Sequence, residues 1–194
     1  MVVVSADLLA ALPPTFRYSQ ARECLNERQF RKLIDEGEII AIARGLYRKR
    51  GLAGDDDLID LASRSPDATL CLRSALARHD LIDDIPAEID IAIPRGAWTP
   101  HTEAPVRWRH FDTKTFPIGR GLLDIGDEST IGLYSAERSI IDAFRMRNIE
   151  GPELANESLK RWLRSGGRPS ELLRVARDFP RTLTPLRQTM EILL

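Results

Sequence analysis

"LNERQFRKLIDEGEIIAIARGLYRKR", Leu25 to Arg50, is a helical pattern that stops at Gly37 and gives way to an alternating ribbon ending in cations. Asn26 and Gln29 stand at capping-box spacing, so a helix is expected to start at Glu27. Gly37 is the residue type that most readily closes a helix in the left-handed conformation. On a wheel of about 100° per residue, Phe30, Leu33 and Ile34 gather on one side. Arg28, Arg31, Lys32 and Asp35 fall at i, i+3, i+4 and i+7, nearly opposite them. After the glycine, "EIIAIARGLYRKR" predicts two strands with Ala43-Arg44-Gly45 between them and Arg48, Lys49 and Arg50 on the return strand.

Upstream, "SADLLAAL" (5–12) predicts a short amphipathic helix ended by Pro13-Pro14, and "RYSQAREC" (17–24) a second. Three short helices followed by a hairpin are the parts of a winged helix-turn-helix, here expected over residues 1–50. The major groove admits a helix, and arginine pairs bidentately with guanine edges there. A basic wing tip reaches the neighbouring minor groove or its phosphates. The candidate DNA contacts are therefore Arg28, Gln29, Arg31, Lys32, Arg44, Arg48 and Lys49. Amphipathic helices with charged outer faces are also the rule in globular proteins, so the face alone does not name its ligand.

"KRGLAGDDDLID" marks a boundary: two glycines lie close together, the sign of the charge flips, and Asp55–Asp57 cap and charge a new helix. A second domain is expected over 55–194. "EIDIAIP" alternates strictly, "APVRWRHF" alternates too, and "GLLDIGDESTIGLY" predicts a hairpin turned by Gly126-Asp127. From Ser135, an N-cap with Glu137 in the first turn, the pattern is helical to the end. Pro152, Pro169 and Pro185 sit where first-turn prolines belong, with Thr184 capping the last helix. The expected class is thus α+β/α/β: a winged helix-turn-helix, then a mixed α/β domain with a helical C-terminal part.

The net charge of −1 hides a division. Residues 1–50 carry +3, residues 51–159 carry −9 and residues 160–194 carry +5. Basic ends around an acidic middle suit an anionic polymer met at the ends. Lys160, Arg161, Arg164 and Arg168 bunch at the end of one predicted helix and its loop, and are the candidate partner surface of the second domain. That surface would meet flanking DNA, an acidic protein face or an RNA. The opening "MVVVSADLLAALPP" has neither the leading cations of a secretory signal nor the length of a membrane span. Cys24 and Cys71 are expected as reduced thiols, and a cytoplasmic location follows.

Enzyme signatures are missing. "EID" (Glu88, Asp90) offers a carboxylate pair, but no Gly-Ser phosphate turn precedes it as in a nucleotidyltransferase. Glu157 and Lys160 are one residue too far apart for a nuclease Glu-x-Lys. His79, His101 and His110 lack zinc-ligand spacing, and no GxSxG or glycine-rich phosphate loop occurs. No catalytic residue, metal or cofactor is expected. Arg138 and Asp142, at i and i+4, are expected as an ion pair that orients a helix. Trp98, Trp108 and Trp162 are expected to pack in the core or at its rim.

In order, these parts resemble the AbiEi-family antitoxins of type IV (abortive-infection) toxin–antitoxin systems. The likeness runs over about residues 5 to 165. It rests on "GEIIAIARGLYRK" (Gly37, Arg44, Gly45, Leu46, Tyr47), "RSALARHDL" (Ser74, Ala75, Leu76, His79, Leu81), "IAIPRG" (Pro94, Arg95, Gly96) and "YSAERSIIDAF" (Ser135, Glu137, Arg138, Ser139, Asp142). Ala41 stands where the family often has arginine, and His79-Asp80 replaces a frequent His-Gly. The resemblance implies a winged helix that represses its own operon at inverted repeats, as a monomer or weak dimer pairing on DNA. It also implies a second domain that neutralises a cognate nucleotidyltransferase toxin, by direct contact or without it. The rival expectations are a winged-helix regulator with a ligand-sensing second domain, and a module whose winged helix binds protein.

Overall fold

The computed structural model describes residues 9–193. Among them are nine helices and eight strands in two sheets, a mixed α/β architecture. The described residues form two compact units: those through 66 with 124–131, and 67–123 with those from 132 onward. Sequence reading opened the second domain at 55, whereas the first unit continues through 66 and gains a distant segment.

In the first unit, strand β1 (Thr15–Arg17) leads into helix α1 (Tyr18–Cys24), followed by α2 (Glu27–Asp35), β2 (Ile39–Ala43), β3 (Leu46–Lys49) and α3 (Asp56–Arg64). β3 is the centre of an antiparallel sheet in the order β1-β3-β2, with Phe16 opposite Tyr47 and Ile40 opposite Arg48. β1 was not expected, because its three residues gain strand character only by pairing with β3. The helix expected over 5–12 begins outside the described residues. Phe16, Ala21, Leu25, Phe30, Leu33 and Ile39 form the core under the sheet, with Leu12 beside them. The Phe30 ring meets Tyr18 and Tyr47 edge-on at centroid distances of 5.1 and 5.0 Å. Asp55 caps α3, accepting from the Leu58 amide at 3.2 Å. Gly54 and Gly126 face each other in an isolated antiparallel bridge. A Cβ on Gly126 would lie 2.4 Å from the Ala53 carbonyl oxygen, so this approach of two backbones needs glycine.

The second sheet has the order β6-β5-β4-β8-β7. Its strands are β4 (Thr69–Leu70), β5 (Ile89–Pro94), β6 (Val106–Phe111), β7 (Arg120–Gly126) and β8 (Ser129–Tyr134). β4 is antiparallel to β5 and parallel to β8, and β5 is parallel to β6. The β7–β8 hairpin turns at Asp127 and Glu128, both at positive φ (54° and 57°), one residue beyond the turn expected at Gly126-Asp127. Helix α4 (Leu72–Arg78) follows β4. The helical part comprises α5 (Ala136–Arg145), α6 (Arg147–Glu150), α7 (Pro152–Arg164), α8 (Pro169–Ala176) and α9 (Pro180–Leu193). Its core joins Leu76, Ile140, Phe144, Leu159, Trp162, Leu172 and Leu186. Pro152 and Pro169 occupy first turns as expected. Pro185 does not: α9 starts at Pro180 and carries Pro185 in its interior, at the loss of one backbone hydrogen bond.

Candidate nucleic-acid interface

Helix α2 is fixed at both ends by its own sequence. The Asn26 side chain accepts from the Gln29 amide at 2.9 Å, and the Gln29 side chain accepts from the Asn26 amide at 2.9 Å. At the other end the Glu38 amide donates to the Leu33 carbonyl and the Gly37 amide to the Ile34 carbonyl, both at 2.9 Å. With Gly37 at φ +69° this is a Schellman closure. Phe30 and Leu33 are buried, while Ile34, expected beside them, is 37% exposed at the flank.

The outer face carries the predicted residues. Arg28, Arg31 and Lys32 are all exposed. Arg31 pairs with Glu27 at 2.8 Å and Lys32 with Glu36 at 3.6 Å, both surface contacts of little energetic weight. Arg28 has no ion-pair partner among the described residues. Glu27 also accepts from the Tyr18 hydroxyl. That bond, then the one from Arg31, holds its carboxyl below the ordinary range. Gln29 is half-buried and its carbonyl oxygen is engaged in the cap, so only its amide NH2 is available to a ligand.

Arg44 is exposed at the β2–β3 turn, and Lys49 is half-buried; neither has an ion-pair partner among the described residues. Arg48 departs from expectation. Its side chain is only 12% exposed and is held by Asp56 at 2.5 Å and by Asp127 at 3.5 Å. The Asp127 side chain is fully covered and accepts from the Thr15 hydroxyl at 3.0 Å. Arg48 therefore faces into the first unit, where it fastens β3 to α3 and to the hairpin turn, and is withdrawn from the contact set.

The second unit uses its motif residues as fasteners. Ser74 Oγ accepts from the Asp90 amide at 2.8 Å, and His79 Nε2 donates to the Tyr134 carbonyl at 2.8 Å. Ser135 caps α5. Arg138 is fully buried: Nε donates to Asp142 at 2.9 Å, and Nη1 donates to the Thr115 and Ile118 carbonyls at 2.6 Å each. Its guanidinium lies 4.2 Å from the Tyr134 ring centroid. Burial pushes the Asp142 carboxyl up against the opposing pull of Arg138 and Arg145. The carboxylates of "EID" are also engaged, Glu88 by Arg107 and Asp90 by Arg109. Asp90, 2% exposed, is likewise raised, mainly by burial.

The four cations of the expected C-terminal patch differ in their partners. Arg161 is held by Asp83 and Glu157, Arg168 lies 3.3 Å from Glu171, Lys160 is half-buried, and Arg164 is exposed. Trp162 packs in the core, whereas Trp98 is 76% exposed on the loop after β5, against the packing expected for it. No described helix is long and apolar enough to cross a membrane.

No protein-family model matches the chain, and no curated protein matches it. Among solved structures, the crystal structure of the RV2827C protein from Mycobacterium tuberculosis matches with a TM-score of 0.52 and 15% identity. The match covers 98% of this chain and 79% of that one. At this identity the likeness is one of fold.

Proposed function

We propose that the chain is an antitoxin of the type IV class. Its first unit would act as a winged helix-turn-helix that represses its own operon at inverted repeats, and its second would neutralise a nucleotidyltransferase toxin. One observation carries the DNA half: a helix capped at both ends buries Phe30 and Leu33 while Arg28, Arg31 and Lys32 stand outward, and the hairpin that follows carries exposed Arg44 at its turn. The helix has the form of a groove probe held by its apolar back, with the hairpin as second clamp. The toxin half rests on the sequence resemblance.

The test uses the full chain, because residues 124–131 belong to the first unit and cutting at 55 would strip that segment of its partners. A mobility-shift titration on the chain's own promoter gives affinity and salt dependence. Arg28→Ala is expected to cost about 1–3 kcal/mol and to relax preference at one base pair if it reads a base, or to reduce the salt slope by about 0.9 if it holds a phosphate. Co-expression with the toxin encoded beside it gives the second readout: an Arg28→Ala/Arg44→Ala variant should lose repression and keep neutralisation. Promoter binding that is unchanged in that variant defeats the DNA assignment. Growth arrest undiminished by the wild-type chain defeats the antitoxin assignment.

A further inference from the structure

The first unit contains a cleft of about 390 Å3 lined by Thr15, Arg17, Gln20, Ser63, Ser129 and Thr130 over an apolar floor. The floor includes Phe16, Leu46 and Ile59, all 2% exposed or less. The volume falls within the range of small-ligand pockets. Its polar lining is unusual in sign. Among the described residues Arg17 is the one charged residue lining the cleft, and no carboxylate lines it.

Arg17 is half-buried, and its guanidinium Nη2 donates to a neutral hydroxyl, Ser63 Oγ, at 3.0 Å. It has no ion pair among the described residues. Arg64, one residue from Ser63, is paired with Asp60, whereas the Arg17 guanidinium meets only a hydroxyl. Asp127 sits behind Thr15, but its charge is directed to Arg48 and to the Thr15 hydroxyl. Gln20 gives its carbonyl oxygen to the Arg17 amide at 2.7 Å, which leaves its NH2 as a free donor. Ser63 Oγ donates to the Asp60 carbonyl at 2.8 Å, so its hydroxyl holds the guanidinium in place, and the exposed Thr130 hydroxyl is a further rotatable donor. One uncompensated cation, one free amide donor and one free hydroxyl over an apolar floor form a receptor for an oxyanion with a small organic body.

We propose that this cleft binds a small organic anion, phosphorylated or carboxylated, through Arg17, Gln20 and Thr130, with Ser63 positioning the Arg17 guanidinium. The site stands independently of the antitoxin assignment. Its position gives binding a consequence: Thr15 and Arg17 form β1, which pairs with β3, and Arg17 leads directly into α1. A ligand that joins β1 to α3 favours one setting of the helices and hairpin over others, and any effect on a partner's affinity is reciprocal.

The experiment is thermal unfolding and isothermal titration of the full chain with inorganic phosphate, adenosine monophosphate and succinate, each against sodium chloride of equal ionic strength. At least one probe should raise the unfolding midpoint in a saturable way with a stoichiometry near one. Phosphate and the nucleotide against succinate separate the two oxyanion classes. Arg17→Met should abolish the shift, and Ser63→Ala should weaken it several-fold even if Arg17→Met fails to fold. A shift of equal size in Ser63→Ala, an effect reproduced by chloride, or no saturable binding by any probe overturns the site.

Discussion

Replacing Arg138 by methionine removes a guanidinium while keeping a side chain of similar length, and the consequences follow from its contacts. Three hydrogen bonds disappear: the charged one to Asp142 and those to the Thr115 and Ile118 carbonyls. The Thr115 carbonyl keeps the Ile118 amide at 3.3 Å, so the partly buried Ile118 carbonyl alone is left unpaired at about 1–3 kcal/mol, and breaking a buried ion pair costs about 3–5. Two features reduce the sum. Asp142 keeps Arg145 on its other oxygen at 2.5 Å, so its charge is not abandoned. Arg138 Nη2 is buried without a partner, and that penalty vanishes with the guanidinium. A net loss of about 3–5 kcal/mol results, a large part of the about 5–15 kcal/mol that stabilises an ordinary domain. With a urea slope of about 2 kcal/mol/M, the midpoint followed by far-UV circular dichroism should fall by about 1.5–2.5 M. Amide exchange should accelerate first in the 112–119 turn, which Arg138 ties to α5. A midpoint within about 0.3 M of wild type would mean that the cost of burying the guanidinium cancels its contacts. The clamp would then contribute nothing to stability.

Two further outcomes follow from burial. Arg48→Met should lower stability by about 3 kcal/mol, because Asp127 is left covered and unpaired, and should leave the salt slope of promoter binding unchanged. A slope lowered by about one unit with stability intact would return Arg48 to the DNA contacts. Of the two thiols, Cys24 is exposed, while Cys71 is fully buried and burial pushes its pKa far up. A thiol reagent should therefore titrate one group per folded chain at once and the second only on unfolding; two fast equivalents would show that β4 opens readily.

Local spacing made α2 legible, since Asn26, Gln29 and Gly37 specify both ends within twelve residues. The Arg138–Asp142 pair was legible for the same reason. What sequence could not supply was set by partners far along the chain. Thr15, Phe16 and Arg17 become a strand only because Arg48, Tyr47 and Leu46 lie opposite them. Arg48 turns inward because Asp56 and Asp127 lie 8 and 79 positions away. The hairpin turn slid past Gly126 because that glycine is taken by the bridge to Gly54, which leaves Asp127 and Glu128 to adopt the left-handed turn. Arg161 was assigned to a partner surface on its charge, and Asp83, 78 residues upstream, takes that charge.

Charge totals by segment therefore mislead, and the charges without partners are the better guide to the proposed interface. Several of the carboxylates that make the middle acidic are buried against arginines: Asp90 with Arg109, Asp142 with Arg138 and Arg145, Glu150 with Arg109. They project little field outward. Among the described residues of the first unit, Arg28, Arg44 and Lys49 have no ion pair, and Arg31 and Lys32 are held by exposed ion pairs that a phosphate can replace at little cost. Each protomer on B-form DNA thus brings three free cations and two releasable ones. The slope of log K against log salt should lie between about −2.7 and −4.5 per protomer, at about −0.9 for each phosphate neutralised. A slope near zero with binding intact would mean that the helix meets a neutral partner, and the cationic face would then be ordinary solvated surface.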